Sequence, residues 1–310
     1  MSNAREVRLV LGFSPGSLSD HVARIVCDVL ASELGAPVNV ALKPGASGTT
    51  AAAEVAAAPP DGSVLFMATV GTHALAPLVG TARYDALRDF TCLSVLTRSP
   101  LLLGCHPSVA ATNVSEFVAR ARERELTYGT SAIGGAPHLA AALFEQLAGV
   151  NMRHVRYDET ERLYRDLAAG AIDLSFNNII SMLPRCRTGK LRALGVTSRE
   201  RASAAPDIPT IAESGVTGYD MTNWTGIVGP AGMAEPLVRR LSAAVTVAVQ
   251  SASVSSALTA QGIIPCGGTP QAFADFIRSE SEKWRPVVTR LRGDVGAGFS
   301  SRALRERARG

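Results

Sequence analysis

The feature that most constrains this chain is a unit that occurs twice. It consists of a short strand, a small-residue loop, a polar residue, an amphipathic helix and a glycine stop. In the first copy, residues 7–13 read as a strand and 14–20 (Ser-Pro-Gly-Ser-Leu-Ser-Asp) as the loop. Val22, Ala23, Val26, Val29, Leu30 and Leu34 then recur at helical spacing until Gly35 and Pro37. In the second, 126–130 is the strand and 131–137 the loop. His138 opens a helix carrying Leu139, Leu143, Phe144 and Leu147, stopped by Gly149. Further strands are expected at 38–42, 64–68, 150–157 and 172–176, with a small-residue helix over 50–58. Short strands alternating with longer helical patterns predict an α/β fold with a mostly parallel sheet. The 310 residues, 46% hydrophobic, suit two lobes better than one.

Composition excludes several classes. No window approaches the ~20 apolar residues of a membrane helix. Met1–Ala4 reads as an expression scar, and no signal peptide is read, an absence that decides little because a mature exported chain would have lost one. The net charge of +4 comes from the tail: from Arg285 onward seven arginines face two acids, so that stretch carries +5 and the rest −1. A basic end without interleaved aromatics does not predict nucleic-acid binding. The five cysteines form no CxxC pair and no zinc spacing. GxSxG, HExxH, GxxxxGK[ST] and GxGxxG are all missing. No catalytic residue, metal or cofactor is expected.

In open α/β sheets, ligands bind beyond the carboxyl ends of the strands. Four segments fit that position: 14–20, 69–73, 131–138 and 177–181. A helix start leaves about four amide N–H groups unpaired, and glycine lets an anion come near them. The candidate ligand-binding residues are therefore Phe13, Ser14, Gly16, Ser17, Leu18 and Asp20 in the first loop. Thr69, Val70, Gly71 and Thr72 belong to the second. Ser131, Ala132, Gly134, Gly135 and His138 belong to the third, and Asn177 and Asn178 to the fourth. Each has a plainer reading. Asp20 suits a helix start as a cap, and His138 equally suits a buried, hydrogen-bonded role. Trp224 could line a cleft or belong to the core, while Trp284 reads as packing on a helix capped by Thr269 with Pro270 first.

The chain resembles the Bug-type periplasmic solute-binding proteins, the receptors of tripartite tricarboxylate transporters. The resemblance runs from about Val7 to Trp284. It is carried by Phe13-Ser14-Pro15-Gly16 with Asp20, Pro44-Gly45-Ala46 with Gly48, Pro60-Asp61-Gly62 and Gly71-Thr72-His73. Further along, it rests on His138-Leu139-Ala140, Gly189-Lys190-Leu191-Arg192, Pro206-Asp207-Ile208-Pro209-Thr210, and Trp224 with Pro230-Ala231-Gly232. It implies a two-lobed Venus-flytrap architecture with two crossing strands, near 101–105 and 223–228. Residues 7–100 and 225–310 would form one lobe and 101–224 the other. It further implies a monomeric periplasmic receptor that binds a small organic carboxylate and delivers it to membrane transporter subunits. A receptor for a signalling partner, or an enzyme on the same scaffold, are the alternatives. Where the family usually offers glycine or hydroxyls, this chain has Ser17, Leu18, Ala132, Ile133, Ala136 and Pro137, and Asn177 stands where Asp is usual. Those departures predict a drier pocket and a bulkier or aromatic carboxylate.

Overall fold

A computed structural model describes residues 6–131 and 134–294. Its strands are β1 (Val7–Leu11), β2 (Val38–Leu42), β3 (Val64–Thr69), β4 (Phe90–Cys105), β5 (Leu126–Thr130), β6 (Met152–Arg156), β7 (Leu174–Asn178), β8 (Arg192–Val196), β9 (Thr222–Pro230) and β10 (Ile264–Pro265). The helices are α1 (Leu18–Leu34), α2 (Thr49–Ala56), α3 (Ala76–Val79), α4 (Val114–Glu123), α5 (Ala136–Ala148), α6 (Thr160–Ala168), α7 (Ile179–Arg187), α8 (Glu235–Gln250), α9 (Ala252–Thr259) and α10 (Pro270–Asp294). No single described helix is long and apolar enough to cross a membrane.

The local signals explain most of these elements. Gly35 and Gly149 both adopt φ 62° and end α1 and α5 in the left-handed conformation that glycine takes without a Cβ penalty. Ser17 caps α1, and Thr269 Oγ1 accepts the Ala272 N–H at the start of α10. The basic tail beyond Asp294 lies outside the described residues.

The sheet is continuous, in the order β2-β1-β3-β9-β4-β7-β5-β6, with β8 and β10 also pairing with β4. β4 is the spine. Along Phe90–Pro100 it runs antiparallel to β9; from Leu101 to Cys105 its partners are β7 and β8. The fold is two-lobed, mixed α/β, and the change of partners falls between Pro100 and Leu101. The run 101–105 thus lies wholly in the second half of the sheet. Among the described residues β9 pairs with β3 and β4 alone, within the first half. The return is made just before it, where the Met221 N–H donates to the Thr197 carbonyl.

Two other expectations are corrected. The strand expected at 172–176 is shifted to Leu174–Asn178, because Asn177 and Asn178 pair with Leu102 and Leu101 across β4. Residues 177–181 are therefore strand end and helix start, not a loop. Likewise Thr69–His73 is no open loop: residues Val70–Leu75 form a widened helical turn leading into α3.

Apolar burial joins the halves. One core cluster contains Phe66 and Phe90 of the first half, Phe117, Phe144 and Phe176 of the second, and Trp284 of α10. α10 packs against β4 and also against α5.

Candidate ligand-binding site

Strand directions bring the predicted segments together. β1, β2 and β3 are parallel, and β3 is antiparallel to β9, which is antiparallel to β4. The carboxyl ends of β1, β2 and β3 therefore point the way β4 runs, toward the crossing. In the other half β7 is antiparallel to β4, and β5 and β6 run with β7, so their carboxyl ends point back toward it. Thr69 pairs with Thr225, Thr225 with Thr97, and Asn178 with Leu101. Thr97 and Leu101 are four residues apart on β4, roughly 13 Å. Two sets of strand ends thus face one another across one short stretch of backbone.

In the first loop, Gly16 adopts φ 77° and its N–H donates to Asp20 Oδ2 at 2.8 Å. Asp20 Oδ1 accepts from Arg24 Nε at 3.1 Å, and Ser17 Oγ accepts the Asp20 N–H at 3.3 Å. Burial would raise the Asp20 carboxyl, but the Gly16 amide and Arg24 hold it below the usual carboxylate range. This corrects the expected role of Gly16: its amide is already taken by a carboxylate of the chain itself. The Leu18 and Ser19 amides carry no hydrogen bond among the described residues, and they are the donors left for an anion. The Leu18 side chain does not wall the cleft. It is buried in the core with Leu9, Leu11 and Val22, as helical periodicity requires of the first residue on the apolar stripe. Ser14 is exposed, and Phe13 is half-buried.

At 69–72, Thr69 and Thr72 form a reciprocal capping box. Thr72 Oγ1 also meets His73 Nδ1 at 3.0 Å, and Tyr84 Oη donates to the Thr72 carbonyl at 2.8 Å. Val70 and Thr72 are buried, so Gly71, half-buried, is what this turn presents. His73 lies behind it, wholly buried; burial pushes its imidazole down to about 3.

Sequence reasoning missed the neighbour that holds these turns. Ala46 and Ser47 take φ 45° and 55°, between Gly45 and Gly48, both also at positive φ. Such consecutive left-handed residues cost energy and persist where surrounding packing determines them. Here the determinant is close approach. A Cβ on Gly12 would stand 2.5 Å from Gly48 Cα, and one on Gly48 would stand 2.9 Å from Thr72 Cγ2 and 3.3 Å from the Phe13 ring. The small residues of 44–48 were the available signal.

In the third loop, Ala132, with Ile133, lies outside the described residues. Gly134 adopts φ 72° and donates its N–H to His138 Nδ1 at 2.9 Å. Gly135 is the N-cap of α5, Pro137 supplies no donor, and Ser131 is half-buried. The His138 ring stacks on His154 with centroids 4.5 Å apart, and His154 stacks on Tyr128 at 5.0 Å. Burial, then the neighbouring His154, pushes His138 down to about 3; burial, then Arg156, pushes His154 down to about 4. A neutral His138 accepting at Nδ1 carries its proton on Nε2. The buried, hydrogen-bonded reading of His138 is the one its surroundings match.

Asn177 is buried and donates to Ser175 Oγ at 2.7 Å, while Asn178 Oδ1 accepts from Asn223 Nδ2 at 3.3 Å. Other hydroxyls at the crossing had no sequence signal, being scattered along strands without a period. Thr97 and Thr225 share a 2.7 Å hydrogen bond, Thr197 Oγ1 accepts the Leu101 N–H at 2.7 Å, and Ser99 Oγ is buried without a partner among the described residues. Trp224 is core, not cleft.

None of the candidate residues is lysine or arginine. Two guanidinium groups close to the loops, Arg24 one turn beyond Asp20 and Arg156 opposite Thr130 across β5 and β6, are ion-paired with Asp20 and Asp158. Recognition by these loops would rest on amides and hydroxyls. Two concavities of about 530 and 430 Å³ lie elsewhere, beside His73, Tyr84 and Ile277 and beside Leu183, Arg192 and Ile208; neither includes a candidate residue.

A two-lobed α/β body with a strand running through both halves and loops converging on the crossing defines the class of solute-binding receptors. A structure of Rpa4515 from R. palustris with adipate matches over 93% of this chain and 98% of that one, at 34% identity and TM-score 0.84. MatC of Rhodopseudomonas palustris with bound malate matches over 92% and 99%, at 31% identity and TM-score 0.80. The chain belongs to the tripartite tricarboxylate transporter receptor family, whose sequence model matches residues 22–292. Among curated relatives, a protein from the tcbD-tcbE intergenic region of Pseudomonas sp. (strain P51) is 30% identical over 93% of this chain and 87% of its own length. BugT of Bordetella pertussis is 28% identical over 92% and 89%.

Proposed function

We propose that this receptor captures a small organic carboxylate between its lobes and delivers it, in the periplasm, to the membrane subunits of a tripartite tricarboxylate-type transporter, acting as a monomer without chemical turnover. The observation that carries the reading is the convergence of strand-end loops without lysine or arginine, from both halves, on the Pro100–Leu101 crossing. A helix start contributes about 0.3–1 kcal/mol toward an anion, and micromolar binding needs about −8 kcal/mol. Amide and hydroxyl hydrogen bonds formed as the lobes close supply the remainder. On this reading residues 7–100 and the described residues from 225 to 294 form one lobe and 101–224 the other, a division supported by the partner change in β4 and qualified by the packing of α10 on α5.

With Leu18 in the core, one of the four residues behind the expectation of an aromatic ligand no longer supports it. Aliphatic dicarboxylates come first, a preference supported by the adipate and malate held by the two similar structures. The test is calorimetry with C4–C6 dicarboxylates against aromatic monoacids, with each bound acid recovered unchanged. Binding of neither class, or conversion of a bound acid, would overturn the proposal.

A further inference from the structure

Two glycines, one on each side of the crossing, are held by the same device. The Gly16 N–H donates to Asp20 at 2.8 Å, and the Gly134 N–H donates to His138 at 2.9 Å. Both glycines are left-handed, at φ 77° and 72°. Each stands immediately before its helix cap, Ser17 or Gly135, and each acceptor stands three residues beyond that cap. Both acceptor residues are buried, at 3% and 2% exposure. The device is thus the same in position and geometry while its chemistry differs: a carboxylate on one side, a neutral imidazole on the other. Neither acceptor atom is suited to touch an anionic ligand, because one is itself negative and the other presents a lone pair. Each is also secured from behind, Asp20 by Arg24 and His138 by the His154 ring.

The geometry points to Asp20 and His138 as matched positioning residues, each turning one glycine amide inward so that the remaining amides of its helix start face the ligand. Neither contacts the ligand. The inference rests on the carboxylate-binding reading for its affinity consequences, but the loop-holding itself does not need a ligand. An ordinary helix cap would stabilise the fold without affecting affinity well below the melting temperature. A positioning residue alters affinity in a protein that stays folded, and a substitute that keeps the acceptor restores it.

The experiment uses the full chain and four variants: Asp20→Asn, Asp20→Ala, His138→Asn and His138→Phe. Asparagine retains an oxygen acceptor at either position; phenylalanine keeps the ring and its stack but accepts nothing, so folding is least at stake there. Amide hydrogen exchange at Gly16 and Gly134 is followed by NMR, and adipate affinity by calorimetry. Asp20→Ala is expected to speed exchange at Gly16 alone, and His138→Phe at Gly134 alone. Each should weaken adipate binding roughly tenfold, the factor carried by one hydrogen bond, with both asparagine variants within about threefold of the parent. Unchanged exchange in the Ala and Phe variants overturns the inference, as does parental affinity in those variants or asparagine variants no better than them. If the parent itself ignores adipate, the ligand reading falls, and glycine exchange alone decides whether the two side chains hold the loops.

Discussion

Trp224 and Trp284 donate their indole N–H groups to one and the same atom, Glu280 Oε2, at 3.2 and 3.1 Å. Trp224 lies on β9 beside the crossing, and Trp284 on α10. The carboxylate is buried, with Lys283 at 3.3 Å from its other oxygen. It ties the strand that re-enters the first half of the sheet to the helix that also touches the second.

Removing that oxygen leaves two buried donors unmet, at about 1–3 kcal/mol each. Glu280→Leu is expected to lower stability by roughly 2–5 kcal/mol, while Glu280→Gln, which keeps an acceptor and loses only the Lys283 attraction, costs about 1 kcal/mol. Urea unfolding followed by tryptophan fluorescence measures both. Equal stability of the two variants would show that the shared acceptor is unimportant.

Glycine substitutions separate strain from collision. A Cβ at Gly16 meets nothing within 4 Å, so Gly16→Ala should cost only the left-handed strain of roughly 1–2 kcal/mol. At Gly12 the added atom would stand 2.5 Å from backbone, which cannot rotate aside. Gly12→Ala should therefore cost more, about 2–3 kcal/mol or above, and spread the turns at 13–16, 45–48 and 69–72. Thermal unfolding gives the ranking, and a reversed order would refute it.

Acid should weaken the fold through its buried imidazoles. His73 and His138 are both held at about 3, against about 6.5 when unfolded. Above pH 6.5 both states are neutral there and the groups contribute no slope. Below it the unfolded chain takes up protons that the native state refuses, so stability falls by about 1.4 kcal/mol per pH unit for each histidine until the folded values are reached. His73→Phe is expected to remove one proton from the slope of unfolding free energy between pH 6 and 4.5. An unaltered slope would contradict a neutral, buried His73.

Much of the fold was legible because its signals are local. Gly35 and Gly149 end helices, Ser17 and Thr269 begin them, and β1 and β3 follow apolar stretches whose meaning depends on nearest neighbours along the chain. The turns at Gly16 and Gly134 were recognisable for the same reason, since small residues at strand ends announce a turn wherever they occur, whereas 69–73 and 177–181 read as loops and fold as a helical turn and a strand end.

What the sequence by itself determined was where turns, caps and helices fall; which groups remain free within them was decided by tertiary structure. Leu18 reads equally as cleft or core until β1 and α1 pack together. Asn177 and Asn178 become strand only because β4, some seventy residues earlier, offers Leu102 and Leu101 as partners. The amides of Gly16 and Gly134 are spent on Asp20 and His138, a matter of side-chain direction that spacing leaves open. Glu280 gathers two indoles because β9 and α10 meet at a point 56 residues apart in sequence. Hydrogen-bond partners and burial are properties of distance in space, and only the packed chain sets those distances.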